Sequence, residues 1–91
     1  MLFRSPSLNP STYDQTKAAL AVVDKTLAEV GSSKDRILTA TVFIADMAQK
    51  DEMNRAWDEW ADRDTAPMRV CVSAGLTGAC LVEMLVTAVA S

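Results

Sequence analysis

Three side chains in the last third of this 91-residue sequence are the ones on which chemistry can be built: Arg69, Cys71 and Glu83. Arg69 follows Pro67 and opens an otherwise apolar run, Met68-Arg69-Val70-Cys71-Val72. A guanidinium is a rigid planar fork that meets a carboxylate through two parallel hydrogen bonds, so an arginine here can hold a small acid. The plainer reading is an exposed arginine on a strand edge. Glu83 interrupts the apolar run Leu81-Val82-Glu83-Met84-Leu85-Val86. An unpaired carboxylate buried there is costly, so Glu83 is either ion-paired with an arginine or a carboxylate that positions or activates water. The residues alone leave both open. Cys71 is either a small buried hydrophobe or a thiol lining a site with Arg69. Asn54, beside Met53 and Trp57, is either a solvated helix residue or a ligand contact. Trp57 and Trp60 read as core or subunit contacts rather than a stacking platform for bases.

What is missing narrows the chemistry further. The chain has no histidine and only two cysteines, Cys71 and Cys80, without CxxC spacing. That argues against a transition-metal site and a disulfide framework, and it removes the commonest general base. Any reaction must run on carboxylates, arginine, a thiol, backbone groups and water. The net charge is −3 and no run of Lys or Arg occurs, so the electrostatic footprint of a nucleic-acid binder is absent. No apolar segment approaches the roughly 20 residues of a membrane span. Met1-Leu2-Phe3-Arg4-Ser5-Pro6 has no apolar core of a signal peptide, so the expected location is the cytoplasm.

These residues need elements to position them. Residues 1–12 are Ser- and Pro-rich and read as an irregular leader, with room for a brief strand at Leu2–Arg4. Ser11 and Asp14 have capping-box-like spacing. Leu20, Val23, Leu27 and Val30 recur at helical intervals and Gly31 stops the pattern, which predicts a helix from about Thr12 to Val30. Arg36 to Ala45 is β-branched and apolar on both faces, the pattern of a central strand covered on both sides. Asp46 with Gln49 caps a second helix, whose apolar stripe is Met53, Ala56, Trp57 and Trp60. After the polar loop 62–67 come two strands, Met68 to Ala74 and about Cys80 to Ala90. The Gly75-Leu76-Thr77-Gly78 link between them favours a hairpin or a short loop. Alternation puts Arg69, Cys71 and Ser73 on one strand face, and Leu81, Glu83, Leu85 and Thr87 together on a face of the last strand. The whole chain then reads as one α+β domain, ordered α-β-α-β-β, with both helices on one face of a small mixed sheet.

In order and spacing these stretches resemble the RidA/YjgF family, the reactive-intermediate (enamine/imine) deaminases, over about Asp14 to Ala90. The carriers are Val30-Gly31-Ser32-Ser33, Ile37-Leu38-Thr39-Ala40-Thr41-Val42-Phe43-Ile44-Ala45-Asp46-Met47, Met53-Asn54 with the aromatic-rich helix behind it, Ala66-Pro67-Met68-Arg69-Val70-Cys71-Val72, and Leu81-Val82-Glu83-Met84. The resemblance implies a chorismate-mutase-like fold and a homotrimer with clefts between subunits. It matches Arg69 to the family's substrate-carboxylate-binding arginine, Cys71 to the site cysteine, Glu83 to the acidic residue of the final strand, and Asn54 to the helix asparagine. The implied activity is hydrolysis of 2-imino acids, formed from enamines such as 2-aminoacrylate, to 2-oxo acids and ammonia, with no cofactor or metal. One departure stands out. Family members begin with a β-hairpin carrying a Tyr and a Ser, and here only about a dozen residues precede the first helix. The hairpin is therefore missing or reduced, and the link from Arg69 to Glu83 is one residue shorter. A non-catalytic relative that binds small carboxylates or merely assembles is the alternative. An RNA-cleaving or translation-inhibiting protein is a third reading, opposed by the acidic charge.

Overall fold

Strand β1 (Leu2–Arg4), helix α1 (Thr12–Glu29), strand β2 (Ile37–Ile44), helix α2 (Lys50–Trp60) and strands β3 (Met68–Ser73) and β4 (Val82–Ala88) build the chain in a computed structural model that describes residues 1–6 and 8–90. Ser7, inside the expected leader, and Ser91 lie outside the described residues. Helix α1 starts where Ser11 Oγ accepts a hydrogen bond from the Asp14 amide at 3.2 Å, satisfying one of the orphan N–H groups of the first turn. It ends in a Schellman turn: the Ser32 amide donates to Leu27 O at 2.8 Å and the Gly31 amide to Ala28 O at 3.2 Å. That turn needs the left-handed φ of 73° at Gly31, where a Cβ would be strained. The apolar stripe runs through Ala19, Leu20, Val23 and Leu27, all buried, and stops there, since Val30 is exposed. Asp46 caps a single 3₁₀ turn, Met47–Gln49, by accepting from the Ala48 amide at 2.9 Å, and α2 follows directly.

The four strands lie in the order β1-β4-β2-β3. Strand β2 is central, parallel to β3 and antiparallel to β4. The link between β3 and β4 is therefore no hairpin, because β2 lies between them. Residues 74–81 instead cross the end of β2, held by the Ala74 amide on Ile44 O and the Ala45 amide on Leu81 O, both at 3.0 Å. Gln15 pins the crossing from below. It is buried, its Nε2 donates to Asn9 O at 2.8 Å and to Ala79 O at 2.9 Å, and its Oε1 accepts from the Leu81 amide at 2.8 Å. Every polar group of that side chain is thus partnered, as burial demands. The short strand at Leu2–Arg4 is real, and it completes the sheet as an edge paired antiparallel to β4.

Both helices cover one face. Phe3, Ala40, Val42, Ile44, Val82, Met84 and Val86 point into it and pack with Leu20, Val23, Leu27, Met53 and Trp57. The other face, carrying Leu2, Phe43, Met68, Val70 and Leu85, has no helix over it, and Met68 is 80% exposed and Val70 55%. Strand β2 is thus central but covered on one side only. Its double-sided apolar pattern reflects a face that this chain by itself leaves bare. Among the described residues no helix is long and apolar enough to cross a membrane.

Candidate functional site

Cross-strand register decides where the chemistry-bearing side chains point. Arg69 pairs with Ala40 and Cys71 with Val42, and residues paired across neighbouring strands share a face. Both therefore project to the helix-covered side, at the edge where β3 meets α2. Arg69 is half-buried there. Its Nη1 donates to Met53 Sδ at 3.4 Å, and its guanidinium carbon lies 5.3 Å from the Trp57 ring centroid. That is within cation–π range, and the ring in turn meets Trp60 at 5.2 Å between centroids, tilted 55°. Among the described residues Arg69 has no carboxylate within ion-pair distance. A weak thioether acceptor and a ring face hold the cation in place without neutralising it.

Asn54 lies on α2 directly after Met53 and one turn before Trp57, the two residues that Arg69 touches. Its Oδ1 is buried and accepts no hydrogen bond among the described residues. An unsatisfied buried carbonyl costs about 1–3 kcal/mol, so a ligand N–H offered to it gains correspondingly. Cys71 is half-buried and packs against the core cluster, and its thiol borders the same edge. Cys80 belongs to the core, donating Sγ–H to Val82 O at 3.3 Å. A groove of ≈ 240 Å³ bounded by Trp57, Asp58, Ala61, Arg63 and Ala66 shares Trp57 with the Arg69 contact, and a second of ≈ 250 Å³ lies between α1 and α2.

Glu83 is elsewhere. It pairs with Phe43 in the β2–β4 ladder and with Arg4 in the β1–β4 ladder, so it projects to the bare face. Its Oε1 takes a 2.6 Å ion pair from Arg4 Nη2, with Glu83's side chain 14% and Arg4's 55% exposed. Within one chain Glu83 and Arg69 are therefore apart. Strand β2 separates them by two strand spacings, about 10 Å, and they occupy opposite faces. Three residues escaped the sequence reading in these roles. Arg4 is Glu83's partner, and nothing local to β1 signals it, since only the cross-strand register brings the two together. Met53 and Trp57 were read as an apolar stripe, yet they also cradle Arg69. Among the described residues no group of three or more His, Cys, Asp or Glu gathers into a metal-holding cluster.

Comparison with known proteins agrees with the resemblance. The family model for endoribonuclease L-PSP matches residues 5–90. A RutC family protein from Haemophilus influenzae is 46% identical over 70 residues, 77% of this chain and 60% of the relative. The RutC family protein YoaB of Escherichia coli is 43% identical over 70 residues, 77% of this chain and 61% of YoaB. The chain thus spans about three fifths of the length of these two curated relatives. Among solved structures, a YjgF-family protein from Neisseria meningitidis superposes with a TM-score of 0.95 at 35% identity, covering all of this chain and 76% of its own. A protein from Salmonella typhimurium gives 0.91 at 41% identity, covering 97% of this chain and 78% of its own. With its order of elements, its α+β sheet and these matches, the chain belongs to the RidA/YjgF/RutC family, the group described by the endoribonuclease L-PSP model.

Proposed function

We propose that this chain hydrolyses reactive 2-imino acids, such as those arising from 2-aminoacrylate, to 2-oxo acids and ammonia. One observation carries the reading: a half-buried arginine held by a ring and a thioether and left without an acid of its own. Such a cation is a receptor for a small carboxylate. In this reading Arg69 takes the substrate carboxylate through two parallel hydrogen bonds, Asn54 Oδ1 accepts the imine N–H, and Cys71 lines the pocket. Water adds to the C=N carbon, and the C–N bond then breaks as nitrogen takes up the protons. R–C(=NH)–COO⁻ and H₂O become R–C(=O)–COO⁻ and NH₃, with no redox step and no cofactor called for. Holding the carboxylate fixes the reacting carbon relative to the water, which is where most of the gain lies.

Glu83 enters this scheme only from a second copy, because in its own chain it faces away from Arg69. The bare apolar face supports such assembly, since an exposed patch of Leu2, Met68, Val70 and Leu85 is what an oligomer interface buries. The assembly is a homotrimer with clefts between subunits, working in the cytoplasm on a small carboxylate-bearing imine. A second reading, a binder of small carboxylates without turnover, is favoured by the Arg4–Glu83 ion pair, which engages the carboxylate that the deaminase reading assigns to water activation. RNA cleavage, the activity in the family model's description, is disfavoured by the net charge of −3.

Ammonia release from an imine generated by an amino-acid oxidase tests the proposal. Acceleration by the parent chain and none by Arg69→Ala is the expected result. A folded parent that fails to accelerate release removes the deaminase and leaves the binder.

A further inference from the structure

The residues that hold Arg69 have a role of their own beyond filling the core. A guanidinium offers five N–H donors in a fixed plane on a long, rotatable stem, so its usefulness depends on what fixes that plane. The usual device is a carboxylate partner, and it would neutralise the charge that a ligand needs. Here Met53, wholly buried, accepts one donor through its thioether at 3.4 Å, and Trp57, 6% exposed, presents its ring 5.3 Å from the guanidinium carbon. Both come from one face of α2, one turn apart, so the helix carries the two supports as a rigid pair. Neither carries charge, and the thioether engages only a single N–H. The remaining donors stay available.

We infer that Met53 and Trp57 are positioning residues that fix the plane of the Arg69 guanidinium while leaving its charge unspent, an inference that rests on Arg69 being the carboxylate-binding residue. The arrangement is specific to arginine. An ammonium at position 69 is a compact, strongly hydrated charge with no plane for the ring and the thioether to fix. The support is also graded: an indole face attracts a cation more strongly than a phenyl face, and an aliphatic side chain offers no face at all.

Calorimetric titration of the folded protein with pyruvate, a stable 2-oxo acid, reads this directly. Trp57→Leu is expected to weaken binding roughly fivefold, and Trp57→Phe and Met53→Leu by about twofold each. The Arg69→Lys substitution is expected to cost about tenfold in the parent but only about twofold in the Trp57→Leu background, since the planar support is already gone. A purely structural role would instead make the affinity losses follow the melting temperatures and would show no such coupling. Should Trp57→Leu not fold, Met53→Leu and Trp57→Phe, which conserve core volume more closely, carry the test. Unchanged affinity in both, with binding abolished in Arg69→Ala, overturns the positioning role and leaves the carboxylate site standing. A folded parent that binds no pyruvate overturns both.

Discussion

The two charged residues that interrupt apolar strands, Arg69 on β3 and Glu83 on β4, meet opposite fates. Arg69 projects beneath α2, half-buried, with a ring and a thioether for company and no acid among the described residues. Glu83 projects to the bare face, where Arg4 from the edge strand reaches it at 2.6 Å. A charge that already has its counter-charge is satisfied and contributes to structure. A charge supported by neutral groups keeps its attraction for a ligand. On the same sheet, two strand spacings apart, one residue keeps an uncompensated charge among the described residues and the other is half of an ion pair.

The contrast can be broken at several points. The largest effect is expected between the two faces themselves. Leu27→Ala, under the helices, should destabilise the chain by about 2–5 kcal/mol, and Val70→Ala, on the bare side, should change the isolated chain by less than about 0.5 kcal/mol. Chemical denaturation at low protein concentration compares them, and equal losses would mean that the bare face is buried even there. Next comes Arg69→Ala, expected to reduce turnover at least about 100-fold by loss of the carboxylate contact while leaving the melting temperature nearly unchanged. An unfolded variant would make Arg69 a structural residue instead.

The Arg4–Glu83 pair is expected to contribute no more than about 1 kcal/mol, because Arg4 is more than half exposed and water screens it. A double-mutant cycle with Arg4→Gln and Glu83→Gln measures the coupling, and a value well above that would place the pair inside an interface. The smallest effect is at Asp35, outside both regions. The Ser33 hydroxyl donates to its carboxylate, and this, more than its own backbone amide or Arg36, holds its pKa below the ordinary value. A carboxylate depressed in the folded state lends stability above its unfolded pKa and loses it as pH falls through the folded one. Parent and Asp35→Asn should therefore differ slightly above the ordinary carboxylate pKa and converge in thermal melts only once pH has fallen below the depressed folded-state pKa.

Much of the fold was legible because its signals are local. Ser11 and Gly31 mark the ends of α1, since N-cap oxygens and left-handed glycines act within a turn of themselves. Alternation correctly grouped Arg69 with Cys71 and Glu83 with Leu85. It could not relate the two groups. Period-two patterning fixes which residues of one strand share a face, but the phase between strands depends on which strands pair and in what register. The Gly75–Gly78 link suits a hairpin or a short loop, and the chain instead crosses β2, so that pairing β4 to β2 turns Glu83 away from Arg69. Arg4 was hidden for the same reason, being 79 positions from its partner and joined to it only by the β1–β4 register. Gln15 stood in the apolar stripe of α1, four residues before Ala19, and only the crossing loop it holds explains a buried amide there.

The central claim is that a small carboxylate docks at Arg69 and not at the other guanidinium of the pair of faces, Arg4. Side-chain Nε–Hε resonances of the two arginines, followed by NMR during titration with pyruvate, test it most directly. A saturating shift at Arg69, absent in Arg69→Lys, with Arg4 unmoved, is the predicted result. A shift centred on Arg4, or none at either residue in the folded protein, would contradict the account.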